Sequence, residues 1–360
     1  MNDPASALAV QGLRRARASI GEAKVNLAHG GGGRAMRDLI EDVFLGAFDN
    51  PLLAPLEDQA VAPLADLAAR GDRLAFTTDS YVVSPLFFPG GDIGTLAVAG
   101  TVNDLAMSGA RPLYLSCGFV IEEGLEVETL RRVAASMRQV AAEAGVQIVT
   151  GDTKVVEHGA ADKLFINTAG IGVVPRGVSI ASASARPGDA VIVSGPVGDH
   201  GTAILIARKQ LSLQSEIASD CRPLGGLVAA MLAACPSIRS LRDATRGGVA
   251  AVLNEIARSS GTAIRVDEAA IPLREQVRGA CEILGLDPLY LANEGTLVAV
   301  VPPAEAGRVI EAMRGHPAGQ GAAVIGEVAE APQGTVVLRT AFGGNRIVDL
   351  LYAEPMPRIC

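Results

Sequence analysis

Two β-rich segments on either side of an alanine-rich one constrain this chain most. LAFTTDSYVV (74–83) alternates with period two and is rich in β-formers, so it reads as a strand. GTLAVAGTVNDLAMSGA (94–110) has helical spacing and stops at a glycine before Arg-Pro. PLYLSCGFVI (112–121) reads as a second strand, and EVETLRRVAASMRQVAAEAG (126–145) as an amphipathic helix, acidic at its start and stopped by Gly145. Further strands are expected over 146–156 and 163–174. A few strands with two long helices make an α+β unit.

PRGVSIASASARPGDA (175–190), rich in Ser, Gly and Pro, is the best connection between two units. Beyond it, helical stretches near 200–209, 224–234, 247–259 and 273–284 mix with strands near 191–198, 238–242, 262–267, 296–301, 322–329 and 335–340. That mixture predicts a second, α/β layer domain. A chain of 360 residues suits about two domains. With 3% aromatic residues and no tryptophan, the cores must be built from Val, Ile, Leu and Ala. Residues 1–25 are expected to form a flexible extension, 26–175 the first domain, 185–340 the second, and 341–360 a mobile tail. The tail sequence, AFGGNRIVDLLYAEPMPRIC, gives little support for a helix, and extended at about 3.3 Å per residue it could reach roughly 60 Å.

The net charge of −8 argues against a general nucleic-acid binder, but a local site can still oppose it and hold an anion. No apolar run approaches the roughly 20 residues that span a bilayer, and no apolar stretch follows Arg14, Arg15 and Arg17 as in a secretory signal. Five cysteines without a CxxC pair fit free thiols in a reducing cytoplasm. Four scattered histidines give no metal-ligand spacing.

The candidate chemistry lies in short motifs. HGGGG places His29, Gly30, Gly31, Gly32 and Gly33 in a run that is either a flexible loop or a backbone cradle for phosphate oxygens; no GxxxxGK[ST] loop is present. Asp79 sits in a strand of apolar and hydroxyl residues. Asn103 and Asp104 interrupt an Ala-rich helix, and Asp152, Thr153 and Lys154 end an apolar strand. Each such carboxylate is either a structural hydrogen-bonder or part of a Mg²⁺ site, since hard cations choose carboxylate oxygens. DATRGG carries Asp243 and Arg246 into a helix start, which suits an anion or merely caps the helix. Glu294 precedes an apolar strand. Cys360 is the last residue, where chain ends sample solvent, so its thiol is either idle or meant to travel.

In combination these motifs are specific. HGGGG, TTDSYVV, GTVNDLAMSGARP, GDTKVV, DATRGG, NEGT and terminal PRIC occur in the order seen in the HypE family of hydrogenase maturation factors. The resemblance runs from about His29 to Cys360. These carbamoyl dehydratases belong to the superfamily of aminoimidazole ribonucleotide synthetase and selenophosphate synthetase. Selenophosphate synthetases keep a reactive Cys or Sec near the N-terminus, whereas no cysteine here precedes Cys117.

The resemblance implies a PurM-like (AIR synthetase-like) α+β first domain that binds ATP and dimerises, an α/β second domain, and a homodimer built by pairing first-domain strands. It implies Mg²⁺ on Asp79 and Asp152, helped by Asn103 or Asp104. The loop of His29, Gly30, Gly31, Gly32 and Gly33 would close over the phosphates, with Thr153, Asp243 and Arg246 also at the nucleotide. Lys154 and Glu294 would face Cys360, which the carbamoyltransferase HypF would carbamoylate. ATP-dependent dehydration would then leave a thiocyanate for a HypC–HypD complex. No nucleic acid or membrane is implied. Two rival readings stay open: another ATP-dependent, amide-oxygen-activating synthetase of the superfamily, or a non-catalytic scaffold with a docking tail.

Overall fold

The computed structural model describes residues 20–208, 216–352 and 356–360. The first sheet has four strands: β1 (Arg73–Tyr81), β2 (Arg111–Glu122), β3 (Gln147–Val156) and β4 (Leu164–Val174), in the order β1-β4-β2-β3. Only the β2–β3 pair is parallel. Helices α1 (Ile93–Met107) and α2 (Val127–Ala144) supply buried side chains to the same core as β2 and β4. Period-two alternation sends Leu115, Cys117, Phe119 and Ile121 inward together with Leu164 and Ile166. Among the described residues no helix covers the opposite face: Leu74, Phe76, Val120 and Ile171 stay 60%, 71%, 37% and 37% exposed.

The second sheet has seven strands: β5 (Ala190–Val193), β6 (Ser240–Asp243), β7 (Ala263–Asp267), β8 (Leu297–Val301), β9 (Ala323–Ala329), β10 (Thr335–Arg339) and β11 (Asn345–Val348). Their order is β11-β10-β7-β9-β5-β8-β6. Strands β5 and β8 are buried on both faces, so they read as unbroken Val/Ile/Leu/Ala runs rather than alternating ones. Val191, Val193, Val298 and Val300 pack with α5 (Gly248–Ser260), following α3 (Asp199–Ala207) and α4 (Gly225–Ala234) in the chain. Ala190, Ile192, Leu297 and Ala299 pack on the other side, with α4 and, after α6 (Glu275–Leu284), with α7 (Ala306–Arg314). Helix α1 is buried all round except at Thr95 and Asp104, because it contacts both the first sheet and β6 and α4.

Three expectations need correcting. The expected extension reached residue 25, but Ile20 and Val25 are buried and Lys24 bridges Glu126; residues 1–19 lie outside the described residues. The expected tail began at 341, but β11 pairs with β10 and Val348 is 1% exposed. The last five residues are packed rather than mobile, with Met356 and Ile359 3% and 2% exposed.

Candidate active site

Asp79 leaves β1 on the helix-covered face, where α1 holds Asp104; the Thr77 hydroxyl fixes Asp104 by donating to it at 2.7 Å. Asp243 closes β6, Arg246 follows before α5, and Glu294 lies in the turn before β8. With Tyr81 and Cys360, these side chains line one cleft of about 670 Å³ between the two sheets. Burial pushes Asp79 up to about 6, aided by the charge of Asp104 and opposed by Arg246. Burial, again with Asp104, pushes Asp243 up to about 7. Burial and then the charges of Asp243, Asp220 and Asp79 hold Glu294 well above the ordinary carboxylate range. Burial likewise raises the Tyr81 phenol, whose hydroxyl reaches Asp79 and Thr101 at 3.4 Å each.

Carboxylates that repel one another in a half-closed cleft are a donor set suited to a hard cation. Among the described residues no three His, Cys, Asp or Glu side chains form a preformed metal cage. Mg²⁺ does not need one, since it keeps several waters and is held by one or two carboxylates together with substrate phosphates.

Glu294 is held by its backbone rather than its side chain. Asp220, buried, accepts from the N–H groups of Glu294 and Gly295 at 2.9 and 3.0 Å. The Asn103 amide donates to the carbonyls of Arg222 and Glu294 at 3.1 and 3.3 Å, while its oxygen accepts from Leu224 N–H at 2.7 Å. Asn103 was expected at the nucleotide; its side chain instead ties α1 to the Glu294 turn. Gly295 is forced by close approach, since a Cβ there would lie 1.8 Å from the Asp220 carbonyl oxygen. Meanwhile Glu294 Oε1 is buried without a partner. The anchored backbone thus presents a carboxyl whose remaining hydrogen-bonding capacity is open.

The other predicted residues gather elsewhere. Asp152 and Lys154 sit on β3, at the far edge of the first sheet, and Lys154 Nζ lies 2.7 Å from the Asp152 carboxylate. That pairing pulls Asp152 below its usual pKa, opposed by slight burial. Buried Thr153 points to the other face of β3. Asp79 pairs across to Thr168, Thr168 to Cys117 and Cys117 to Gly151, a separation of roughly 14 Å at strand spacing. Asp152 also points to the opposite face from Asp79. Within one chain, therefore, Asp79 and Asp152 cannot share one ion, and Lys154 does not face Cys360.

The glycine loop lies beside β3 as well. His29 is fully buried, and its Nδ1 accepts from Asn26 N–H at 3.0 Å. Gly30 lies against Val155, whose Cβ and N would be 2.9 Å from any added Cβ. Gly31 caps this turn, and Gly32 and Gly33 line a second cleft of about 760 Å³ with Asp152 and Thr153.

Cys360 reaches the first cleft because the tail is docked. Its C-terminal oxygen accepts from Val82 N–H at 3.1 Å, just past the end of β1. Arg358 donates to the Val82 carbonyl and pairs with Asp162, each at 2.9 Å. His200 and Arg208 reach the carbonyls of Ile359 and Arg358. Burying the Met356 and Ile359 side chains contributes roughly 3–6 kcal/mol, and these five hydrogen bonds about 5 more. Ordering five residues costs on the order of 10 kcal/mol. Arg358, at φ +55°, adds left-handed strain of about 1 kcal/mol. The docked state is therefore favoured by no more than a few kcal/mol.

AIR synthase related protein families match both halves, the N-terminal domain over residues 56–174 and the C-terminal domain over 186–339. Carbamoyl dehydratase HypE of Rhodobacter capsulatus is 58% identical over 337 residues, covering 94% of this chain and 98% of the relative. The chain belongs to the HypE family. The HypE fold is equally plain in solved structures. A crystal structure of the hydrogenase maturation protein HypE in complex with ATP superposes with a TM-score of 0.88 at 51% identity, covering 93% of this chain and 99% of that one. HypE from a HypE–HypF complex gives 0.76 at 46% identity, covering 89% and 100%.

Several residues that support the cleft from behind carried no readable signal. Asp220 and His200 stand in ordinary polar contexts, ASDC and GDHGT. Tyr81 alone could have been found, as the second residue after Asp79 on the same face of a strand.

Proposed function

We propose that this protein dehydrates an S-carbamoyl group on its own Cys360 to a thiocyanate at the expense of ATP, supplying the cyanide ligand for [NiFe]-hydrogenase maturation. One observation carries the reading: the terminal Cys360 is docked into a carboxylate-lined cleft beside Glu294, in a chain of the HypE family. Relatives of this family have been crystallised with ATP and with HypF, which supports ATP as co-substrate and HypF as carbamoyl donor.

The balance is S–C(=O)–NH₂ plus ATP⁴⁻ giving S–C≡N, ADP³⁻, HPO₄²⁻ and one proton; of the two hydrogens leaving the nitrogen, one ends on phosphate. The carbamoyl oxygen attacks the γ-phosphorus and ADP leaves. Loss of one N–H proton gives an iminophosphate; loss of the second breaks the C–O bond and expels phosphate. Glu294 is the group placed to take a proton. Burial and the negative charges of Asp243, Asp220 and Asp79 favour its neutral form. Neutralising them with a cation and Arg246 returns it towards the ionised form that can act as a base. Asp79 and Asp104 would hold Mg²⁺, which would neutralise charge developing on the phosphates. Tethering the substrate at the chain end raises its local concentration in the cleft.

Asp152, Thr153, Lys154, His29 and the glycines join this site if a second copy closes over the first. The uncovered sheet face supports such a homodimer: Phe76 sits opposite Ile171, and Ile171 opposite Tyr114, in one apolar patch. Lys154 would then approach phosphates bound in the partner's cleft. The product would pass to the HypC–HypD complex in a reducing cytoplasm, where Cys360 stays a thiol. No described helix is long and apolar enough to cross a membrane.

Intact mass tests the reading. Incubated with HypF, a carbamoyl donor and ATP-Mg²⁺, Cys360 should gain a carbamoyl group and then lose the mass of one water. Glu294→Gln should stop after the gain, slowing the loss by roughly 10²–10⁴-fold. Water loss at the wild-type rate in Glu294→Gln, or no modification of Cys360, contradicts it.

A further inference from the structure

We propose that His200 and Arg208 form a latch on the tail, gripping two successive backbone carbonyls and so setting how long the cargo on Cys360 stays in the cleft. The inference rests on the reading above in taking Cys360 as the carrier. The two residues stand at the two ends of α3. His200 Nε2 lies 2.9 Å from the Ile359 carbonyl oxygen, and Arg208 Nη2 lies 2.5 Å from that of Arg358.

The His200 contact has one chemical form. A carbonyl can only accept, so Nε2 carries the hydrogen, and the Nδ1 of a neutral ring must accept. Ser219 Oγ, 2.8 Å from Nδ1, supplies that hydrogen while itself accepting from Cys221 N–H at 3.1 Å. The relay runs from Cys221 through Ser219 and the ring to the tail, with every donor used. Burial depresses the ring's pKa to about 4, opposed by the Ile359 carbonyl, so the imidazole is neutral at working pH. The Phe88 ring meets it edge-on at 5.5 Å, which fixes its plane.

The two grips differ in what release leaves behind. His200 is fully buried with the tail in place, so a departing tail deprives its Nε2–H of the Ile359 carbonyl, a loss that falls on the released state. Arg208 is only partly buried, keeps a second bond from Nε to the Ser84 carbonyl at 2.7 Å, and can turn to solvent. Against them works the left-handed backbone of Arg358, which release relaxes. His200 does not line the Cys360 cleft and contacts the tail through backbone rather than through the sulfur, so it is a positioning residue.

The test compares His200→Leu, which deletes the donor, with His200→Gln, which keeps an N–H. Maleimide alkylation of Cys360 is followed by intact mass and peptide mapping, without ATP or partner. His200→Leu should alkylate roughly tenfold faster, and Arg208→Leu about threefold, the sizes set by a lost hydrogen bond at a buried and at a half-exposed donor. His200→Gln should stay within about threefold of wild type. In the half-reactions, His200→Leu should leave carbamoylation unchanged or faster and slow dehydration, the slowing being smaller than the gain in alkylation while the docked state still predominates. Unchanged alkylation in His200→Leu, or both half-reactions slowed equally, overturns the latch. Should His200→Leu not fold, Arg208→Leu and Ser219→Ala are read by the same criteria. Alkylation needs no carbamoyl chemistry, so a wild-type chain that fails to dehydrate strikes the proposed function and leaves the latch to be judged alone.

Discussion

Asp79 and Asp243 are where the cleft's electrostatics become measurable. Each binds its proton more tightly folded than unfolded, to about 6 and about 7, mainly through burial. Stability they confer is therefore complete below the unfolded carboxylate pKa and is lost as pH rises through about 6 and about 7. Without nucleotide or metal, Asp243→Asn should flatten that decline and stabilise the chain at alkaline pH by roughly 1–3 kcal/mol, read by chemical denaturation across pH. A parallel decline in the variant contradicts the assignment. Gly295→Ala should lower stability by roughly 1–3 kcal/mol, because its Cβ would strike the Asp220 carbonyl and tear the Glu294 backbone from its two N–H anchors. An unchanged melting temperature speaks against that anchor. Polar residues inside apolar runs marked the cleft in sequence; what Asn103 does there was hidden, because its partners lie on segments more than a hundred positions away.

Elements show which periodicities can be read and which cannot. Strands β1 to β4 and helix α2 were legible because one face of each alternates or carries helical spacing, whereas α1, buried almost all round, was read from its alanine-rich run and the glycine that stops it. Helix α7 was missed, with prolines before it and a glycine inside. Strand β11 was missed because it is a four-residue edge strand in a Gly-rich stretch, and its pairing with β10 depends on tertiary contact. A chain ending after Val348 should keep its melting temperature within a few degrees, whereas one ending after Thr340 should melt clearly lower, having lost an edge strand and the Val348 carbonyl that Asn254 donates to at 3.0 Å. Equal melting of the two truncations would mean that β11 adds nothing. On the uncovered sheet face, Phe76→Glu should convert a dimer to monomer in light scattering, and a dimer that persists removes that face as the interface.

At the scale of the whole molecule, the predicted site residues, Asn103 apart, gather around two clefts at opposite edges of one sheet. Linear sequence could not show this, since motif order says nothing about which strand edges end up apart. If two copies complete each site, mixing Asp79→Asn with Lys154→Ala should restore about a quarter of wild-type turnover, from random pairing with one intact site per mixed dimer. No recovery would confine each site to one chain. All of this chemistry turns on the carbamoyl oxygen leaving as part of phosphate, and isotopic labelling reads that transfer directly. With ¹⁸O in the carbamoyl group, the account predicts the label in inorganic phosphate, one atom per thiocyanate formed on Cys360. Label appearing in water, with phosphate unlabelled, would contradict it.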